Sequence, residues 1–118
     1  MTDDSDRRRA PRARVAAIAS LETKGKLNAN DQAIGVVRDM SRTGIGLETG
    51  QPPMVGQGVI LRLVLDDESH QLCTRATRVE RRGKSNFYQV GLDWSMCSSA
   101  ELAFLDRVLH AYEQQPQG

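Results

Sequence analysis

Cysteine and histidine are scarce in this chain of 118 residues, two of each, too few for a disulfide framework or a dedicated metal centre. Cys73 and Cys97 lie far apart and form no CxxC pair, and neither His70, in an expected turn, nor His110 has a partner at ligand spacing. Two reduced structural thiols and no metal or cofactor are therefore expected. Aromatic residues are nearly as rare, with one Trp, two Tyr and two Phe. That shortage counts against a set of stacking platforms for single-stranded nucleic acid. Charge of one sign is missing too, because 16 Lys and Arg stand against 15 Asp and Glu. A bulk electrostatic grip on DNA or RNA is not expected from such a balance. No apolar run approaches membrane-spanning length, and the charged N-terminus lacks the apolar segment of a secretory signal. Together these predict a cytoplasmic protein that does not insert into a membrane.

The patterns of catalysis are absent as well. A nucleophile with a base and an orienting acid requires a placed histidine, and neither histidine has such neighbours. The stretch GIGLETG carries Gly44, Gly46 and Gly50, but Thr49 stands where a dinucleotide fingerprint needs glycine, and no phosphate-loop lysine follows. These glycines read as a turn and a crowded strand. Asp66 and Asp67 read as a solvated hairpin turn. No enzyme is expected.

What the chain does have is a succession of short extended segments. Strands are predicted over Arg14 to Thr23, Ala33 to Met40, Gly44 to Thr49, the run GVILRLVLDD, Leu72 to Arg82 and Phe87 to Trp94. Val59, Leu61, Leu63 and Leu65 alternate with a more polar face, and Tyr88, Val90, Leu92 and Trp94 share another apolar face. The loop ETGQPPMVGQG separates the third and fourth segments, since paired prolines do not sit in a central strand. Six such segments argue for a small antiparallel barrel. Ser98 with Glu101 forms a capping box, Cys97 and Leu102 are placed for a hydrophobic staple, and Leu102, Leu105, Leu109 and Tyr112 follow at helical spacing. The predicted organisation is a flexible N-terminal arm over residues 1–13, a barrel with its closing helix over 14–113, and a disordered tail over 114–118.

The arm concentrates charge that the rest of the chain lacks. Residues 1 to 14 contain Arg7, Arg8, Arg9, Arg12 and Arg14 against three aspartates. Pro11 biases Ala10 towards an extended backbone, so Arg8 and Arg12, in an RxxxR spacing, belong to a non-helical segment. Directly after the second strand, Asp39, Ser41 and Gly44 form a DxSxxG spacing. The two elements together resemble the PilZ domain, the bacterial receptor module for cyclic di-GMP. GVVRDMSRTGIGLE, the long loop, VILRLVL, VGLDW and the closing helix also fall in the order of that family. The resemblance implies a PilZ-like barrel whose arm closes over the ligand, with Arg7, Arg8, Arg12, Asp39, Ser41 and Gly44 as binding residues.

These residue types suit that ligand. Arginine forks onto guanine O6 and N7 or onto phosphate oxygens, which lysine cannot do. Asp39 can accept from guanine N1 and N2 donors, Ser41 offers a small hydroxyl, and Gly44 allows a tight turn or a close approach. Arg9 and Arg14 are candidates for further phosphate or base contacts, with plain solvation as the alternative. The resemblance also implies that the residue before RxxxR influences ligand stoichiometry; an arginine at position 7, able to stack on a guanine, points to an intercalated dimer of cyclic di-GMP. The expected role is a second-messenger receptor acting through a downstream protein effector in motility, biofilm or polysaccharide regulation. A ligand-independent adapter of the same fold is the alternative reading. Candidate readout surfaces include the helix face around Phe104 and the loop around Met54.

Overall fold

The computed structural model describes residues 13–24, 30–65 and 67–113. The arm residues Arg7, Arg8, Arg9 and Arg12 lie outside the described residues, as do the tail beyond residue 113 and Asp66. The strands are β1 (Ala13–Lys24), β2 (Asn30–Met40), β3 (Gly44–Thr49), β4 (Gly58–Leu65), β5 (Glu68–Arg81) and β6 (Tyr88–Asp93), followed by one helix, α1 (Ser99–Glu113). They close into an antiparallel barrel in the order β1-β2-β3-β6-β5-β4. Every strand has two neighbours, so no strand edge runs open along the sheet.

The alternation seen in the sequence decides what fills the barrel. Val59, Leu61 and Leu63 of β4 are buried, as are Val90 and Leu92 of β6, Leu21 of β1 and Leu72 of β5. Each comes from every second position of its strand, the period that points one set of side chains inwards. Three register irregularities interrupt the ladders, between Arg14 and Ala17, between Val37 and Asp39, and between Ala76 and Arg78. Extra residues of this kind bend and twist a strand, and six strands need such coiling to close. The two buried threonine hydroxyls donate to backbone carbonyls, Thr49 to Ile34 at 2.9 Å and Thr74 to Val59 at 2.8 Å. No buried polar side-chain atom among the described residues lacks a partner.

Several details differ from the sequence reading. β2 starts at Asn30 rather than Ala33, because the ladder with β1 continues to the Lys24–Asn30 pair and cross-strand bonding overrides the polar composition. β5 starts at Glu68 rather than Leu72, pairing there with Leu65, and Asp67 just before it takes φ 67°, a left-handed conformation that aspartate tolerates. His70 therefore belongs to a strand and stacks on Phe104 of α1, with ring centroids 3.8 Å apart. Phe104 is accordingly half-covered, whereas Met54 is 70% exposed.

The capping box forms as expected. The Ser98 N–H donates to Glu101 Oε1 at 2.8 Å, and the Glu101 N–H donates to Ser98 Oγ at 3.2 Å. The inward face of α1 includes the expected Leu105 and Leu109 but not Leu102, and the Tyr112 side chain lies outside the description. Leu105 and Leu109 are buried and Phe104 and Val108 pack against the core, while Leu102 is 44% exposed. The helix leans on β1 and on His70, and that docking turns its buried stripe away from Leu102. No helix of the described residues is long and apolar enough to cross a membrane.

Candidate functional site

The connection between β2 and β3 holds the DxSxxG residues. Met40 and Ile45, which face each other across the β2–β3 ladder, are both fully buried, so residues 41–43 form a short turn anchored at each end by the core. Ser41 is itself fully buried, and each of its polar groups is used. Its N–H donates to the Gly44 carbonyl at 2.8 Å, its Oγ accepts from the Thr43 N–H at 3.2 Å, and that Oγ lies 3.0 Å from Thr43 Oγ1. Its carbonyl accepts from the Trp94 indole N–H at 2.8 Å. Hydroxyls bonding to the backbone two residues on are a familiar turn device. Here the device is locked by an indole 53 residues away in sequence.

Gly44 is constrained by the neighbouring strand. A Cβ at this position would stand 2.3 Å from the Leu92 carbonyl oxygen of β6, so no side chain fits between β3 and β6 here. Its backbone conformation is not left-handed; the requirement is close approach. Asp39, by contrast, lies on the outer surface and is half-buried. The register sets it opposite Arg14 on β1 and opposite Gly46 on β3. Of the expected binding residues, Asp39, Ser41 and Gly44 are thus brought together at one end of β2 and β3, and the backbone of Arg14 runs beside them.

The surroundings are strongly polar. Arg42, in the turn, pairs with Asp106 of α1, whose carboxyl is held below its usual range by that hydrogen bond and charge. The turn and the helix are thereby tied together at the surface. Glu48 of β3 lies 3.5 Å from Arg38 and 3.8 Å from Arg82. Burial would raise the Asp93 carboxyl, but hydrogen bonds from the Ser95 hydroxyl and N–H, with the Arg75 charge, hold it lowered.

Cys97 donates its thiol to the Cys73 carbonyl at 3.1 Å, and burial, with smaller contributions from Glu101 and Cys73, pushes its pKa up to about 12. The thiolate needed for reactivity is therefore scarce at neutral pH. No group of three or more His, Cys, Asp or Glu among the described residues is arranged to hold a metal ion. The contributions of Trp94 and Arg42 to the turn were not apparent from sequence spacing, since Trp94 reads there only as core packing.

Comparison with known proteins agrees with this geometry. The family model described as PilZ domain matches residues 6–111, a span that includes both the RxxxR and the DxSxxG spacings. Among solved structures, the PilZ domain with c-di-GMP of YcgR from Escherichia coli is similar at 17% identity and TM-score 0.69, with 92% of each chain covered. The PilZ domain of CeSA from a cellulose-synthesizing bacterium shares 19% identity at TM-score 0.67, covering 88% of this chain and 99% of that one. The Bacillus subtilis inhibitor of motility, MotI, shares 13% identity at TM-score 0.67, and the match spans about half of it, 53%. A comparison with curated proteins finds no match.

Proposed function

The chain belongs to the PilZ domain family, and on that premise we propose that it is a receptor for cyclic di-GMP. The observation that carries this reading is the coincidence of motif and geometry. The family match includes both arginine and DxSxxG spacings, and the second sits on a turn built to hold Asp39 at the barrel surface. A carboxylate in that position accepts hydrogen bonds from the N1 and N2 donors of guanine, and Arg8 and Arg12 fork onto guanine or phosphate. Ser41 and Gly44 serve the ligand by shaping the turn: one fills its interior hydrogen bonds and the other admits the close approach of β6. Arg7 stacks on a guanine and favours an intercalated pair of ligands.

In this reading the arm orders over the ligand, and the charged contacts offset its loss of conformational entropy. The closed arm then presents a new surface to a protein effector in the cytoplasm. A role in motility, biofilm or polysaccharide regulation is supported by the kinds of protein that share the fold, a motility inhibitor and the PilZ domain of CeSA from a cellulose-synthesizing bacterium among them.

Asp39→Ala tests the reading at its described residue. Its side chain is half-buried at the surface, so the variant is expected to melt within a few degrees of the parent while binding cyclic di-GMP roughly 5- to 150-fold more weakly. Calorimetric titration beside a thermal melt checks both. Equal loss of stability and affinity, or unchanged affinity, would mean that Asp39 is only a turn residue.

A further inference from the structure

Resting on the cyclic di-GMP reading, we propose that the binding surface extends beyond Asp39 across β3 and β6 to β5, with Gly46 and Gly91 as the floor for a guanine and Arg78 gripping its far side. The register places these four residues in one continuous row. Asp39 faces Gly46, Gly46 faces Gly91, and Gly91 faces Arg78. Three strand spacings of ~4.8 Å separate the two charged ends by about 14 Å. Neither Gly46 nor Gly91, between those ends, carries a side chain.

Alternation fixes the glycines on the outer face, because Ile45, Leu47, Val90 and Leu92 on either side of them are buried. Glycine weakens a strand interior, so two of them paired across β3 and β6 call for a reason. At Gly44 the reason is packing. At Gly91 it is not, since an added Cβ would meet nothing nearer than 3.5 Å, which is ordinary contact, and its φ is not left-handed. What a side chain at position 91 would remove is the flat outer surface itself. A planar base lies on such a surface with both backbones close beneath it.

The arginine at the end of the row is aimed there by the fold. The irregularity between Ala76 and Arg78 inserts Thr77 as an extra residue, and Thr77 Oγ1 donates to the Gly91 carbonyl at 3.2 Å. Bulges of this kind re-aim a side chain. Arg78 is left with its Cβ and Nε at 3.5 and 3.9 Å from where a Gly91 Cβ would stand. Arg38, Arg42, Arg62, Arg75 and Arg82 each pair with a carboxylate. Arg78 makes no ion pair among the described residues, and this exposed arginine borders Gly91. A guanidinium there forks onto guanine O6 and N7, two acceptors that adenine does not present together. Arg78 therefore contributes selectivity for guanine as well as affinity.

Calorimetric titration of the full chain with cyclic di-GMP and cyclic di-AMP, beside Arg78→Ala, Arg78→Lys, Gly91→Val and the helix control Arg107→Ala, tests this. Arg78→Ala is expected to bind cyclic di-GMP roughly 5- to 150-fold more weakly with an unchanged melting temperature. Arg78→Lys should recover only part of that, because it restores charge without the fork. Gly91→Val should melt no lower than the parent, valine being favoured in strands, yet bind more weakly. Arg107→Ala should match the parent. Parent-like affinity in both Arg78→Ala and Gly91→Val would overturn the extended site and leave the receptor reading standing. A folded parent that does not bind cyclic di-GMP would overturn both.

Discussion

Replacing Arg8 and Arg12 together with alanine is expected to weaken cyclic di-GMP binding by roughly thirty-fold or more without lowering the melting temperature. A good bidentate contact contributes about 1–3 kcal/mol of discrimination. If the two losses add, affinity falls by about 2–6 kcal/mol, from roughly thirty-fold to more than ten-thousand-fold. Both residues precede β1, the first strand of the barrel, in the sequence. Lysine at both positions tests the chemistry rather than the charge. It should restore only a minor part of the affinity, because a point charge cannot make the paired donors of a guanidinium. Titration calorimetry and a thermal melt on the same samples check the result. Parent-like affinity in the double alanine variant would remove the arginines from the site.

Trp94→Ala has the largest expected effect on stability. Trp94 is buried in the core and its indole N–H holds the Ser41 carbonyl. Removing a buried tryptophan costs about 3–5 kcal/mol, a large share of the ~5–15 kcal/mol that holds a domain together. The melting temperature should fall on the order of 10–20 °C. Trp94→Phe separates packing from bonding, since it keeps an aromatic ring and leaves the Ser41 carbonyl without its partner. That variant should lose about 1–3 kcal/mol and also bind cyclic di-GMP more weakly, because the turn beside Asp39 loosens. Circular dichroism melts and titration of the phenylalanine variant are the measurements. A phenylalanine variant equal to the parent in both would show that the indole bond does not support the site.

Local rules were enough for much of this structure. The alternation of Val59, Leu61 and Leu63 predicts a strand with one buried face, and the Ser98 and Glu101 pair predicts the start of α1; both depend only on near neighbours in sequence. The RxxxR and DxSxxG spacings are legible for the same reason. Whatever depends on distant partners was not. Leu102 fits the helical period as well as Leu105 does, and only the docking of α1 on β1 and His70 excludes it from the buried face. His70 reads as a turn residue until the β4–β5 ladder carries the strand back to Glu68. The hydroxyl of Ser41 reads as a surface group, yet the turn closes around it because the Trp94 indole, just past the end of β6, donates to the Ser41 carbonyl. The row from Asp39 to Arg78 depends on three ladders and on the irregularity beside Thr77, none of which leaves a motif.

Titration calorimetry of the unmodified protein with cyclic di-GMP, with GTP and cyclic di-AMP as controls, tests the receptor function most directly. Saturable binding of cyclic di-GMP, at two ligands per chain and without comparable binding of either control, is the predicted result. A folded sample that releases no binding heat at any temperature tried, and whose melting temperature cyclic di-GMP does not raise, would contradict it and favour an adapter that works through protein contacts alone.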